Sequence, residues 1–140
     1  MNSIDLANLK IGDSLGPLSK IVSTEAVVRF NEIWEGGDRN QFIDADFAES
    51  RGLPGVIVPG LMCIGYIELL LVTCLPKITI KAIDVSFKRV IIHESKLEVR
   101  AIITDIVSDD NYKLLELDLF VYSEPDVLKV LGHASAVAIN

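Results

Sequence analysis

Residues 59–76 read PGLMCIGYIELLLVTCLP and belong to the most apolar stretch of the chain. Its apolar side chains would fall on nearly every face of a helix, so it predicts a helix that starts at Pro59, ends before Pro76 and is surrounded by the rest of the chain. Glu68 interrupts the segment, and its helical part of about 15 to 16 residues is shorter than the ~20 that a bilayer requires. We therefore predict a buried core helix and no membrane span.

Alternating apolar and polar residues follow Pro76, as is typical of strands with one buried face. Turn-forming residues at 93–95, 108–111 and 123–126 divide this region, and Val127 to Ile139 forms the last predicted strand. The apolar positions of the earlier strands are Ile78, Ile80, Ala82, Val85 and Phe87, then Leu97, Val99, Ala101 and Ile103, then Leu115, Leu117, Leu119 and Val121.

The region before residue 59 is predicted to contain turns and helices. Residues 11–16 have a turn-like composition, and Ser23 or Thr24 can cap a helix that the glycines at 36 and 37 end. Trp34 is expected to pack in the core together with Phe30. The apolar positions of this helix are Val27, Phe30, Ile33 and Trp34.

Helices followed by an antiparallel meander indicate an α+β protein in which the sheet wraps around one helix, the hot-dog arrangement. Nothing in residues 1–140 suggests a linker, so we predict a single domain. Apolar surface left on the sheet predicts at least a homodimer that pairs edge to edge.

The charge balance bears on possible partners and on location. With 13 basic and 20 acidic residues the net charge is −7, which disfavours nucleic acid and anionic membrane surfaces as partners. Cys63 and Cys74 lie in the apolar segment as free thiols, and residues 1–10 do not resemble a signal peptide. We expect a cytoplasmic protein.

The stretches GGDRNQFIDADFA (residues 36–48) and GVIVPGLM (residues 55–62) resemble the MaoC-like hydratase/dehydratase family, which includes (R)-specific enoyl-CoA hydratases. The family patterns are S-G-D-x-N-P-x-H-x-D-x-x-F/Y-A and G-x-I-x-H-G-M/L. Residues 9–13 and 85–88 also match family landmarks, so the resemblance covers nearly the whole chain. It implies the hot-dog fold, an acyl-CoA or acyl-carrier thioester as ligand, and no cofactor or metal.

The resemblance also implies a site. Asp38 matches the catalytic Asp, Asn40 matches the Asn that shapes the active-site loop, and Gly60 matches the glycine whose N–H receives the thioester carbonyl. Independently, a helix N-terminus offers unpaired N–H groups to such an oxygen. Further residues predicted to contact the thioester or CoA are Phe42, Ile43, Val58 and Leu61. Basic residues that could meet phosphates are Lys81, Lys88 and Arg89.

Departures from the family pattern concern catalysis. The segment from Asp38 to Ala48 is one residue shorter than the pattern, so the catalytic His aligns with Phe42 or Ile43, and neither can carry a proton. Pro59 replaces the histidine of the second motif. Because an acid–base group typically contributes about 10²- to 10⁴-fold to a rate, losing the His predicts weak turnover at most.

Other ionisable residues have competing interpretations. Asp46 is expected to cap a short helix over residues 46–50, with Asp44 facing solvent. Glu68 is either an interface partner, which we favour, or a site residue of raised pKa. His93 and His133, in a turn and on a late strand, form no metal-ligand spacing with the cysteines, and a Cys63–His nucleophile pair remains an alternative.

Three functional hypotheses follow. The first is a thioester-binding protein of impaired activity that partners a related, active hydratase/dehydratase subunit. The second is a working hydratase or dehydratase that uses Asp38 with Asp44, Glu68 or a water in place of the His. The third is a small-molecule sensor or thioesterase-like hot-dog protein.

Overall fold

The computed structural model describes residues 2–124 and 126–139, which form a five-stranded antiparallel sheet packed on one long helix. The strands are β1 (Ser14–Ile21), β2 (Ile78–Phe87), β3 (Lys96–Ser108), β4 (Tyr112–Ser123) and β5 (Val127–Ile139); the helices are α1 (Thr24–Trp34), α2 (Ala45–Ser50) and α3 (Gly60–Cys74). The sheet order is β1-β3-β4-β5-β2, and the long helix α3 contacts both edge strands as well as β3. This is the predicted α+β hot-dog arrangement.

The core lies between the inner face of the sheet and the side of α3 that faces the sheet. On α3, Ile67, Leu70 and Leu71 are fully buried, and the burial of each such side chain stabilises the folded state by about 1.5 to 3 kcal/mol. The alternating pattern of β3 and β4 is confirmed, because all its predicted apolar positions are buried. These are Leu97, Val99, Ala101, Ile103, Leu115, Leu117, Leu119 and Val121.

The predicted turns at 93–95 and 108–111 lie between strands as expected. The third, at 123–126, separates β4 from β5, and its Pro125 lies outside the described residues.

Strand β1 corrects the prediction for the start of the chain. Residues 11–16 were expected to form a turn, but the strand begins at Ser14 and pairs with β3 from Ser14 opposite Ile102 to Ile21 opposite Lys96. The register shifts between Leu15 and Leu18, where Gly16 and Pro17 stand. This irregularity hides the two-residue alternation that identifies a strand in a sequence.

Helix α3 is not surrounded by its own chain, contrary to the prediction. Leu61, Leu69 and Val72 are 47%, 40% and 44% exposed, and Gly65 and Glu68 are exposed beside them. We call these five residues the uncovered face of α3. The sheet covers only the opposite side of the helix.

Helix α1 also differs from its prediction. It is capped by Ser23, whose Oγ accepts a hydrogen bond from the N–H of Ala26 at 3.1 Å, and it ends with Glu35 in the left-handed conformation. Trp34 is 65% exposed and stacks on half-buried Phe30, so the prediction that Trp34 packs in the core is wrong. The buried positions are Val27 and Asn31, one helical turn apart.

The cap of α2 is Asp44 and not Asp46. The Asp44 carboxylate accepts a hydrogen bond from the N–H of Phe47 at 3.1 Å, and Asp44 is half-buried where solvent exposure was predicted. Asp46 lies exposed in the first turn, where its charge still favours the helix dipole.

In the described part of the chain, no helix is both long enough and apolar enough to traverse a bilayer.

Candidate functional site

Two cavities meet at the amino-terminal end of α3. The first has a volume of about 370 Å³ and the second about 180 Å³. Gly60 and Phe42 line both cavities and therefore stand between them. The first cavity is also lined by Gln41, Ile57, Val58, Cys63, Phe87, Lys88, Arg89, Val90 and Ile91. The second is also lined by Phe30, Asn31, Trp34, Pro59 and Leu61.

Gly60 is the first residue of α3, where backbone N–H groups are available to a ligand. Pro59, which precedes the helix, gives no side-chain hydrogen bond to its first turn. The first N–H groups of a helix have no partner within it, and its dipole favours negative charge there. A Cβ on Gly60 would lie 2.6 Å from Cζ of Phe87, so the Phe87 ring packs against this end of the helix and would have to move to admit a larger residue.

Backbone hydrogen bonds bring the three walls of the first cavity together. The N–H of Val58 donates to the carbonyl of Ile91 at 2.7 Å, and the N–H of Ile57 donates to the carbonyl of Gln41 at 3.1 Å. The segment leading into α3 thus joins the 41–42 loop to the segment after β2. His93 reinforces this join, because its ring nitrogens contact Thr24 Oγ1 at 3.2 Å and the Ile57 carbonyl at 3.3 Å.

Asn40 organises the loop that carries Asp38. Its Nδ2 donates to Oδ1 of Asn31 at 2.8 Å and to the carbonyl of Gly36 at 3.1 Å, while its Oδ1 accepts from the N–H of Phe42 at 2.9 Å. Asn31 in turn donates to the carbonyl of Gly37 at 2.9 Å. Asn31 was not predicted as a site residue, although its position one turn after Val27, on the buried face of α1, was a usable signal.

The two residues predicted to align with the family's His, Phe42 and Ile43, lie in different surroundings. Phe42 lines both cavities beside Gly60, whereas Ile43 packs against the hydrophobic core. Asp38 is exposed and lines neither cavity, and Asn40 acts through the loop. The structure thus gathers Gly60, Val58, Leu61 and Phe42 around the cavities. The catalytic role of Asp38 stays a prediction.

Basic side chains surround the mouth of the first cavity. Lys88 and Arg89 line it, and both donate their backbone N–H to the carbonyl of Lys129. The ammonium of Lys129 donates to the carbonyl of Val90, another lining residue, at 2.9 Å. Three basic residues therefore lie at or beside this cavity in a chain whose net charge is −7, whereas Lys81 does not line it.

Cys63, inside the first cavity, lacks the environment of a nucleophile. Burial raises the pKa of its thiol to about 11, so the unreactive protonated form dominates at neutral pH. The rings of both histidines are engaged elsewhere, His93 as described and His133 with the carboxylates of Glu116 and Asp118. The Cys63–His interpretation has no support in this geometry.

Comparison with solved structures identifies the fold. No protein-family model and no curated protein matches the sequence. Among solved structures, the (R)-hydratase of A. caviae involved in PHA biosynthesis superposes with a TM-score of 0.82 at 21% identity, over 95% of this chain and 98% of that one. The MaoC-like dehydratase of Rhodospirillum rubrum gives a TM-score of 0.84 at 16% identity, over 99% and 98% of the two chains.

A third similar structure is the ChsH1-ChsH2 complex of Mycobacterium tuberculosis, with a TM-score of 0.78 at 15% identity over 94% of this chain and 98% of that one. A long helix held by an antiparallel sheet defines the hot-dog class. Within that class, this chain has the fold of the MaoC-like hydratases and dehydratases, as its motifs indicated.

Proposed function

We propose that this protein binds an acyl thioester at the amino-terminal end of α3 but has little or no hydratase activity, and that it works as the non-catalytic partner of a related hot-dog subunit. The observation that carries the proposal is the meeting of the two cavities at Gly60, with Phe42 beside it where proton transfer would require a titratable group.

Binding is supported by complementary chemistry at three points. The cations Lys88 and Arg89 suit the phosphates of CoA or of a phosphopantetheine arm. The apolar walls of the first cavity suit the arm itself. The uncapped N–H groups at Gly60 suit a carbonyl oxygen, and they would stabilise the negative charge that develops there when a neighbouring C–H bond ionises.

The proposal of impaired catalysis is supported by the side chains around the expected position of the thioester carbonyl. Hydration of an enoyl thioester needs an acid and a base within hydrogen-bonding reach of the reacting carbons. Among the described residues, the basic groups that line the cavities are Lys88 and Arg89 at the mouth, and no carboxylate or imidazole lines either one. Asp38, which matches the family's catalytic Asp in the sequence motif, is exposed.

Pairing with a second hot-dog chain is supported by the uncovered face of α3 and by the edge strand β2. Leu61, Leu69 and Val72 expose apolar surface that a partner helix would bury. Both edge strands have a register shift, but β1 also contains Pro17, which blunts an edge, whereas β2 has no proline. Glu68 lies on the uncovered face, in keeping with the interface role favoured for it.

A turnover assay tests the proposal. Purified protein is incubated with crotonyl-CoA while binding is followed by calorimetry and hydration by loss of enoyl absorbance. We expect saturable binding without hydration above the buffer rate. Hydration that Asp38→Asn abolishes would establish the working hydratase instead, and release of free CoA, measured with a thiol reagent, would establish the thioesterase-like alternative.

The oligomer is tested separately by light scattering of the purified chain, alone and mixed with a related chain that has an intact D-x-N-P-x-H motif. We expect Leu69→Lys to prevent association, because a charge would be buried on the uncovered face. Leu114→Lys, an equally exposed position on β4, serves as the control. Equal association of both variants would show that the uncovered face is not the interface.

A further inference from the structure

The second cavity has a different chemical character from the first. None of its described lining residues is charged, and its one polar side chain, Asn31, is already engaged. The amide of Asn31 donates to the carbonyl of Gly37, and its Oδ1 accepts from Asn40. Away from the N–H groups at Gly60, a polar ligand group would therefore gain little here, while an apolar group would meet the rings of Phe30 and Trp34.

The volume of the second cavity limits what it can hold. At about 180 Å³ it is slightly larger than the ~150 Å³ apolar cavity that accommodates a benzene molecule. A group of about four to six carbon atoms fits this space, by the same comparison. A chain of twelve carbons exceeds this volume, so it would either displace a wall or leave the pocket past the exposed side chains of Trp34 and Leu61.

We propose that the second cavity is the acyl pocket and that it selects short or single-ring acyl groups. The inference rests on the proposed thioester binding. The phosphates lie at Lys88 and Arg89, the arm fills the first cavity, and the carbonyl meets Gly60. The acyl group then passes Phe42 and ends against the rings of Phe30 and Trp34. Phe30 and Leu61 are walls of this pocket.

Trp34 provides a direct probe, because it is the single tryptophan of the chain and lines this cavity. In the free protein its exposed ring is open to quenching by acrylamide. Hexanoyl-CoA, dodecanoyl-CoA and hexanamide are titrated against the full chain, and affinity and protection of Trp34 from acrylamide are measured. We expect hexanoyl-CoA to protect Trp34 and to bind at least about tenfold more tightly than dodecanoyl-CoA.

Variants locate the selection. Phe30→Ala lengthens the pocket and should reduce the preference for hexanoyl-CoA to about threefold or less. Leu61→Phe should shorten the pocket and shift the preference towards butyryl-CoA. Phe120→Ala, a half-buried phenylalanine on β4 that does not line this cavity, is the matched control and should leave the preference unchanged.

Equal affinity for both chain lengths, or saturation with hexanoyl-CoA that leaves Trp34 quenching unchanged, would overturn the acyl-pocket inference and leave thioester binding intact. If neither thioester binds, the proposed function is wrong. Hexanamide then tests whether the second cavity binds an apolar group by itself. Saturable protection of Trp34 by hexanamide supports an apolar binding site, and no protection overturns it.

Discussion

Two parts of helix α3 have different surroundings. The side that faces the sheet is closely packed, with Ile67, Leu70 and Leu71 fully buried, whereas the amino-terminal end borders two cavities. Close packing is what stabilises a core, and unfilled space beside unpaired N–H groups is what a ligand requires. One helix thus separates stability and binding along its length, and substitutions can test each part by itself.

The largest effect is expected in the packed part. Leu70→Ala should lower the free energy of unfolding by about 2 to 5 kcal/mol, because it leaves a cavity under α3 that the sheet cannot fill. Urea denaturation measures the loss. Leu114→Ala, at a position 41% exposed, should cost less than about 1 kcal/mol. Similar losses in the two variants would contradict the assigned core.

A smaller loss is expected where the cavity end is held in place. Asn31→Ala leaves the carbonyl of Gly37 and the amide of Asn40 without this partner, and should cost about 1 to 3 kcal/mol. Thioester affinity should fall as well, since the same loop positions Phe42. Exposed Asn8→Ala is the control. Unchanged affinity in folded Asn31→Ala would separate the loop from the site.

Gly60→Ala should affect binding more than stability. Its methyl group would displace the exposed ring of Phe87 and cover the helix end, so affinity should fall about tenfold, or about 1.4 kcal/mol. Gly55→Ala is the matched control, because a Cβ there would meet only Ile92, at an ordinary 3.9 Å. Equal affinity of the two variants would remove Gly60 from the site.

The smallest effect is expected on the outer face of the sheet, remote from both parts of α3. Hydrogen bonds to Glu116, and then to Asp118, raise the pKa of His133, while Ser135 and His133 lower the pKa of Glu116. The stabilisation by His133 is therefore present below its ordinary pKa of about 6.5 and lost as the pH rises through its raised value. That of Glu116 is present above about 4.3 and lost at lower pH.

His133→Gln should accordingly cost less than about 1 kcal/mol between pH 5 and 6.5, because these side chains are largely exposed, and nothing at pH 9. Denaturation at the two pH values measures the difference. A loss that grows with pH would contradict the assigned charges. Thioester binding should not change.

The sequence predicted the packed part of the molecule better than the cavity end. Periodic burial identifies β3, β4 and the helix itself, because side-chain spacing alone decides which face is apolar. It failed at β1, where Gly16 and Pro17 break the period, and at Trp34, whose helical spacing suggested the core. It could not show that α3 has an uncovered face, since an apolar segment does not specify what will cover it.

The site was predicted in part. Motif spacing pointed to Gly60, Phe42 and Val58, which line the cavities, but it left the choice between Phe42 and Ile43 open. Asn31 and Phe87 were missed as site residues, because they reach the site through tertiary contacts with residues far along the chain. Asp44 took the capping role expected of Asp46, a two-residue ambiguity in the helix start that local sequence does not resolve.

The most direct test of the account is a nuclear magnetic resonance titration of ¹⁵N-labelled protein with butyryl-CoA, a saturated thioester that cannot be hydrated. We predict that the backbone amides of Gly60 and Leu61 shift downfield as their N–H groups bind the carbonyl, while the amide of Leu70 on the packed face stays in place. Saturation of the protein with the amides of Gly60 and Leu61 unmoved would contradict the account.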